Sequence, residues 1–186
     1  FRRVLFRSLT LLLSAAETSI ESMDPRFPIG KFAFNAAPTA HSRLDCIAAI
    51  RAFPAELKAS LPGARIDQPY RDGGWTTRQV VHHLADSHMN AFTRFRLALT
   101  EDRPTIKPYN EVEWAKLPDV ALDPSVSVQI LDGLHQRWAA MLDALKDGDF
   151  SREAVHPEHG PRSLDWYLQL YAWHGRHHIE IGRAHV

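Results

Sequence analysis

The chain has 186 residues and a mass of 21.1 kDa, and its 22 basic side chains are balanced by 22 acidic ones. This length fits one domain with a core large enough to fold without disulfide bonds, and the single cysteine, Cys46, allows no internal disulfide. The neutral balance, without a run of basic residues, argues against binding to nucleic acid or to an anionic membrane surface. Eleven histidines are a surplus, and they make catalysis or metal binding the first function to test.

Both ends of the chain resemble foreign sequence. Residues 1–8 and 181–186 can be encoded by one DNA word read on opposite strands, and that word resembles a short-read sequencing adapter. The apolar stretch before Met23 is too short to span a bilayer. We therefore expect residues 1–22 to lie outside the native protein, followed by a domain at residues 23–180 with a truncated last helix and a foreign tail. Without the four arginines of the foreign segments the chain is mildly acidic, and we expect a cytoplasmic location.

Apolar side chains recur at helical spacing in the first half of this domain. Residues 39–61 form the first predicted helix, whose apolar face includes Leu44, and Pro54 is expected to kink it. Residues 76–99 form the second predicted helix, which begins at a capping box that starts with Thr76.

The second half contains a long connection and two further helices. Residues 100–123 are longer than a usual helix–helix connection and contain one short predicted helix at residues 111–117. Residues 124–146 form the third long helix, with Ile130 on its apolar face. The fourth begins at Ser163, a residue type that caps helix N-termini. Because no strand-sized run of alternating apolar residues occurs, we predict an all-α, up-and-down four-helix bundle whose sites form between facing helices.

The fourth predicted helix carries two histidines one turn apart. His174 and His178 lie on its apolar stripe, and two imidazoles at i and i+4 can converge on one metal ion. The alternative is that both rings are satisfied by neighbouring polar groups, since each unsatisfied ring would cost about 1–3 kcal/mol. Their place on the apolar stripe favours a metal. His177 lies further round the helix and is the weaker ligand candidate.

The second predicted helix offers three histidines for the third ligand position. His82 points away from the apolar face and is predicted to be solvated, whereas His88 faces the core and is predicted to be hydrogen-bonded there. His83 lies at the edge of that face, so we predict a metal site of His83, His174 and His178. Three imidazoles leave one coordination position open, as in catalytic metal sites. Because the ligands must be neutral, we expect metal release below about pH 6.

Five sequence blocks closely resemble the YfiT branch of the DinB-like superfamily. They are YRDGGWTTRQVVHHLADSHMN from residue 70, IKPYNE from residue 106, LHQRW from residue 134, HPEHG from residue 156 and LYAWHGRHH from residue 170. The resemblance covers residues 28–180 and implies an up-and-down four-helix bundle, usually dimeric, that holds zinc or nickel with three histidines. Carried over residue by residue, it gives the same ligands, His83, His174 and His178.

The resemblance also implies an activity. Family members are described as metal-dependent hydrolases, and related members as transferases that move a low-molecular-weight thiol onto an electrophile. We therefore expect a homodimeric hydrolase that uses Zn²⁺ or Ni²⁺ to act on a small substrate, without nucleic-acid or membrane partners. The alternatives are an S-transferase that uses a thiol of the bacillithiol type and a non-catalytic metal-binding module.

No pattern assigns further catalytic residues, and four side chains are only candidates. Asp86 and Glu111 are carboxylates that could orient a ligand or act as a general base, although each could simply be solvated. Arg94 shares the helix stripe of His83 and could hold an anionic substrate group or pair with a carboxylate. His135 flanks the apolar face of the third predicted helix and could reach the cavity.

Overall fold

The computed structural model describes residue 24 and residues 26–183. In this part of the chain, four long helices and one short helix are joined by 3-10 helices at Pro118–Ala121 and Asp147–Ser151 and by one β-hairpin. The helices are α1 (Ala40–Ser60), α2 (Thr77–Thr100), α3 (Glu111–Trp114), α4 (Ser125–Asp143) and α5 (Leu164–Arg183). The strands are β1 (Glu153–His156) and β2 (Gly160–Ser163).

The helices begin where polar side chains cap them. The Thr76 hydroxyl accepts from the backbone N–H of Gln79, and the Gln79 side chain accepts from the N–H of Thr76. This confirms the predicted capping box, which satisfies two amide groups at the start of α2. At the start of α5 the Ser163 hydroxyl accepts from the N–H of Trp166 at 3.2 Å, as predicted.

Two layers of the hydrophobic core show the direction in which each long helix runs. In the first layer, α1, α2, α4 and α5 contribute in turn Ile50, Phe95, Trp138 and Leu168. In the second layer, the same helices contribute Leu57, Val81, Leu131 and Ile179. Residue numbers rise from the first layer to the second in α1 and α5, and fall in α2 and α4. Helices α1 and α5 are therefore parallel to each other, and α2 and α4 both run in the opposite direction.

The predicted four-helix bundle is confirmed, and its chain path is up, down, down, up. Helices α1 and α2 each pack against both α4 and α5, so α1 lies diagonally across the bundle from α2. The path differs from strict alternation at one link, because residues 101–124 cross the length of the bundle and let α4 run parallel to α2. The long connection seen in the sequence is this crossover.

The β-hairpin was not predicted from the sequence. Strands β1 and β2 pair antiparallel over four residues each, and Gly160, the first residue of β2 after the turn, has a φ of 70°. The crossover joins the hairpin edge, since the N–H of Ile106 donates to the carbonyl of Val155 at 3.0 Å. Strands this short, with a His-Pro-Glu-His-Gly turn, leave no alternating apolar pattern to detect.

Surface and core differ from the helical-wheel prediction at several positions. Leu44 and Ile130, which the wheel places on apolar faces, are 61% and 41% exposed. Asp165, in the first turn of α5, is buried and accepts two hydrogen bonds of 2.7 and 2.8 Å from Arg43. This bidentate ion pair fastens α1 to α5.

The predicted foreign segments lie mostly outside the described residues. Residues 1–22 and 184–186 are not described, whereas residues 181–183 form the last turn of α5, in which Ile181 is buried. Among the described helices, none combines the length and the apolar character needed to cross a bilayer.

Candidate metal centre

The structure brings the three predicted ligands together in the second core layer. His83 lies in the second turn of α2, and His174 and His178 lie in the C-terminal half of the antiparallel helix α5. One ligand atom from each ring lies within 4.8 Å of the others. The ring centroids are 4.6 to 5.5 Å apart. This spacing brings the three rings within reach of a single ion.

The chemistry of the three rings fits a divalent metal. Burial lowers the pKa of His83 to about 4 and holds the pKa values of His174 and His178 well below the usual value. All three are therefore neutral imidazoles at neutral pH, which is the ligating form. Nδ1 of His178 is buried and has no hydrogen-bond partner among the described residues, a polar atom that a cation would satisfy.

A cavity of about 600 Å³ lies against the three rings. Trp75 packs edge-on against His83 with ring centroids 4.9 Å apart, and Trp173 lines the wall. The turn that precedes α2 closes another side, where a Cβ on Gly74 would come within 2.9 Å of the Arg71 side chain. The volume suits a small molecule.

Glu111 is the carboxylate that the fold brings to this site. Its Oε2 atom lies 4.0 Å from Nδ1 of His83, and its side chain is 59% exposed. The crossover carries it there, and Asn110 caps α3 by accepting from the N–H of Glu113. Glu113 itself pairs with Lys116 at 2.6 Å. Of the two acidic residues in α3, only Glu111 therefore faces the histidines.

The other catalytic candidates lie away from the cavity. Asp86 is half-buried, and both burial and nearby Asp119 raise the pKa of its carboxyl group. Arg94 lies over the ring of Tyr167, 6.0 Å from its centroid. His135 is buried in the core. None of these three candidates is among the described residues that line the cavity.

The prediction that His82 is solvated is wrong. Its side chain is 7% exposed, with Nδ1 2.7 Å from the Ser127 hydroxyl and Nε2 3.1 Å from the carbonyl oxygen of Leu122. The wheel describes only α2, whereas α4 and the end of the crossover cover this side of the helix. The prediction for His88 is confirmed, since it is fully buried and hydrogen-bonded.

A group of hydroxyls beside the metal ligands was missed. The Ser87 hydroxyl lies 3.3 Å from the Tyr171 hydroxyl, and Tyr109 of the crossover lies near Ser87. Burial raises the pKa of Tyr109, whose ring packs on Trp114. The available clue was the spacing of Ser87, four residues after His83 on the same helix face.

A second group with metal-ligand spacing occurs among the described residues. His156, Glu158 and His159 lie around the hairpin turn, with the last two exposed. None of them lines the 600 Å³ cavity. The half-buried group formed by His83, His174 and His178 is therefore the stronger candidate.

Comparison with known proteins gives consistent matches. The family model of the DinB superfamily matches residues 48–181. A relative from Bacillus mycoides strain KBAB4 is 48% identical over 166 residues, which cover 88% of this chain and 94% of that protein. A second relative, from Bacillus cereus strain B4264, is 49% identical over 167 residues, which again cover 88% of this chain and 94% of that protein. Both carry the provisional name of metal-dependent hydrolase.

A solved structure is similar over almost the same span. YfiT from Bacillus subtilis is 42% identical and superposes with a TM-score of 0.83 over 86% of this chain and 94% of its own. It is described, again provisionally, as a metal-dependent hydrolase with an unusual four-helix bundle topology. The family match covers most of the chain, and the relatives are covered almost completely. The chain therefore belongs to the DinB superfamily, as a YfiT-like member.

Proposed function

We propose that this protein is a metal-dependent hydrolase of a small molecule, with His83, His174 and His178 as the metal ligands. The observation that carries the proposal is the convergence of three neutral imidazoles on one wall of a small-molecule cavity. The provisional names of the relatives support it. A divalent metal held there would supply Lewis acidity and activate water at neutral pH.

We assign Glu111 the role of proton acceptor. It is the only carboxylate among the described residues that line the cavity. General-base catalysis needs a basic group within reach of the attacking water, and an exposed carboxylate beside the ligands meets that need. The same side chain can accept the Nδ1–H of His83 after a small movement and hold that ring in place.

The metal is zinc or nickel in this proposal, because imidazole ligands suit both ions. The substrate is small, because the cavity has the volume of ordinary small-molecule sites. Thiol transfer and homodimer formation, which the family resemblance implies, stay predictions.

Metal content and turnover together test the proposal. We expect purified protein to bind about one zinc or nickel ion per chain, and His83→Ala and His174→Ala to lose most of that binding. His41→Ala is the matched control, because His41 is an exposed histidine on α1 and should leave metal content unchanged. Equal metal content in all four proteins would contradict the site.

The loaded protein should then cleave members of a panel of small esters and amides without added thiol. Chelation should stop the cleavage, and readdition of the metal should restore it. If turnover instead requires a low-molecular-weight thiol and consumes it with an epoxide or a halogenated acceptor, the reaction is S-transfer and the hydrolase proposal fails.

A further inference from the structure

Three histidines, one half-buried and two fully buried, are linked in series from the proposed metal site to the backbone of α1. Nδ1 of His174 lies 3.3 Å from Nε2 of His88, and Nδ1 of His88 lies 2.8 Å from Nε2 of His135. Nδ1 of His135 contacts the backbone carbonyl of Ile50. The series thus joins α5, α2, α4 and α1. We call this series, which consists of His174, His88, His135 and the Ile50 carbonyl, the histidine relay.

The sequence explains why the Ile50 carbonyl is available. In an α-helix this oxygen accepts from the N–H four residues later, but that residue is Pro54, which has no N–H. The helix therefore leaves one buried carbonyl without its usual donor, at a cost of about 1–3 kcal/mol if nothing replaces it. His135 supplies the missing donor. Pro54 in α1 and His135 in α4 are therefore linked through the Ile50 carbonyl, which the first frees and the second satisfies.

The carbonyl fixes the direction of every hydrogen bond in the relay. A carbonyl oxygen only accepts, so the proton of His135 is on Nδ1 and its Nε2 carries a lone pair. His88 must then donate from Nδ1, which leaves a lone pair on its Nε2. His174 must donate from Nδ1 in turn. Its remaining lone pair is on Nε2, on the side of the ring away from His88.

The surrounding packing holds the relay rings in place. His88 and His135 are 0% and 1% exposed, and neither has a carboxylate within ion-pairing distance among the described residues. Phe53 stacks on His88 with centroids 4.8 Å apart and an interplanar angle of 28°, and it lies 5.2 Å from His135. Trp138 packs against both rings. Rings packed in this way have little freedom to rotate.

We propose that His88 and His135 are positioning residues that hold His174 as its Nδ1–H tautomer and thereby present its Nε2 lone pair to the metal. The inference rests on the proposed metal site and adds a role for two residues that touch neither the metal nor the substrate. Partners of ligating histidines are commonly carboxylates or carbonyls, and their loss costs about 10–100-fold in metal affinity. A neutral histidine fills that role here without placing negative charge beside the ion.

The test combines tautomer measurement with zinc affinity. Long-range ¹H–¹⁵N spectra of the metal-free protein should show His174, His88 and His135 protonated on Nδ1. His88→Leu removes the acceptor, so His174 should lose its single Nδ1–H tautomer and zinc should bind about 10–100-fold more weakly. His88→Gln can both accept and donate, and it should restore affinity to within about threefold.

His82→Leu is the matched control. His82 is also a buried histidine of α2 with two hydrogen bonds, but it lies outside the relay. This variant should lose stability and keep wild-type zinc affinity. The inference is overturned if His174 is protonated on Nε2 in the wild-type protein, or if His88→Leu and His82→Leu weaken zinc binding equally. A wild-type protein that binds no zinc contradicts the proposed function instead, and the tautomers of the metal-free protein still decide the relay.

Discussion

At the scale of single residues, the site divides into three side chains that we propose as metal ligands and one that we expect to accept a proton. His83, His174 and His178 follow directly from their spacing on two helices. Glu111 does not, because only the crossover places it 4.0 Å from His83. A carboxylate in a long connection has no periodic pattern that would indicate its direction, so the sequence could offer it only as one candidate among several.

Glu111→Gln tests the assigned role of this residue. The amide keeps the size of the side chain but cannot accept a proton, so kcat should fall by about 10²–10⁴-fold. Metal content should change much less, because the three ligands remain. Glu113→Gln is the control, since Glu113 pairs with Lys116 at the surface. Steady-state kinetics of the three proteins make the comparison, and equal kcat values for both variants would remove Glu111 from the mechanism.

At the scale of secondary-structure elements, the sequence predicts where a helix begins better than it predicts which other elements pack around that helix. The capping residues Thr76 and Ser163 mark where α2 and α5 begin, because capping is local chemistry. The burial of His82 was mispredicted because it depends on α4 and the crossover. From the sequence Pro54 predicts a kink, and the structure adds a consequence that the sequence does not indicate, the carbonyl of Ile50 that it frees for His135.

The contact between α1 and α5 gives a prediction about packing. A Cβ on Gly175 would lie 2.5 Å from the ring of Phe53, which is itself buried and stacks on His88. We expect Gly175→Ala to lower the free energy of unfolding by about 1–2 kcal/mol, since overpacking costs about 1–3 kcal/mol and alanine recovers up to about 1 kcal/mol of helix propensity.

Gly133→Ala is the control for this substitution. Gly133 lies in α4 with no atom within 4 Å of its added Cβ, so its replacement should stabilise the protein by up to about 1 kcal/mol. Urea unfolding of both variants provides the measurement. A Gly175→Ala protein as stable as Gly133→Ala would show that the close approach of Phe53 is not a constraint.

At the scale of the whole molecule, the chain path decides which residues meet. Because α2 and α5 run antiparallel, the start of one and the end of the other share the second core layer, and this brings His83 to His174 and His178. Amphipathic patterns predict four helices but not their directions. The directions follow from connection lengths, and the long crossover was the available clue.

Buried histidines should make the stability of the metal-free protein depend on pH. Burial lowers the pKa of His135 to about 4 and that of His88 well below its usual value of 6.5. Between pH 6.5 and about 4 the unfolded chain therefore binds more protons than the folded one. The free energy of unfolding should therefore decrease as the pH is lowered from 6.5 to about 4. The decrease should be up to about 1.4 kcal/mol per pH unit for each such histidine.

Urea unfolding in the presence of a chelator, at pH 7.5 and pH 5, measures this dependence. His135→Gln should flatten it, because one buried titrating group is removed. An unchanged midpoint between the two pH values would contradict the buried, neutral state of these rings. The low pKa of His83 also moves the expected release of metal from below about pH 6 towards about pH 4, where protons begin to compete for this ligand.

We propose that one divalent metal is held by His83, His174 and His178. X-ray absorption at the zinc edge of the zinc-loaded protein counts these ligands, because imidazole has a characteristic scattering pattern. We predict nitrogen neighbours at about 2.0–2.1 Å that include three imidazoles, and no more than two in His83→Ala at saturating zinc. A wild-type spectrum with fewer than three imidazoles, or one that His83→Ala leaves unchanged, would contradict the three-histidine site.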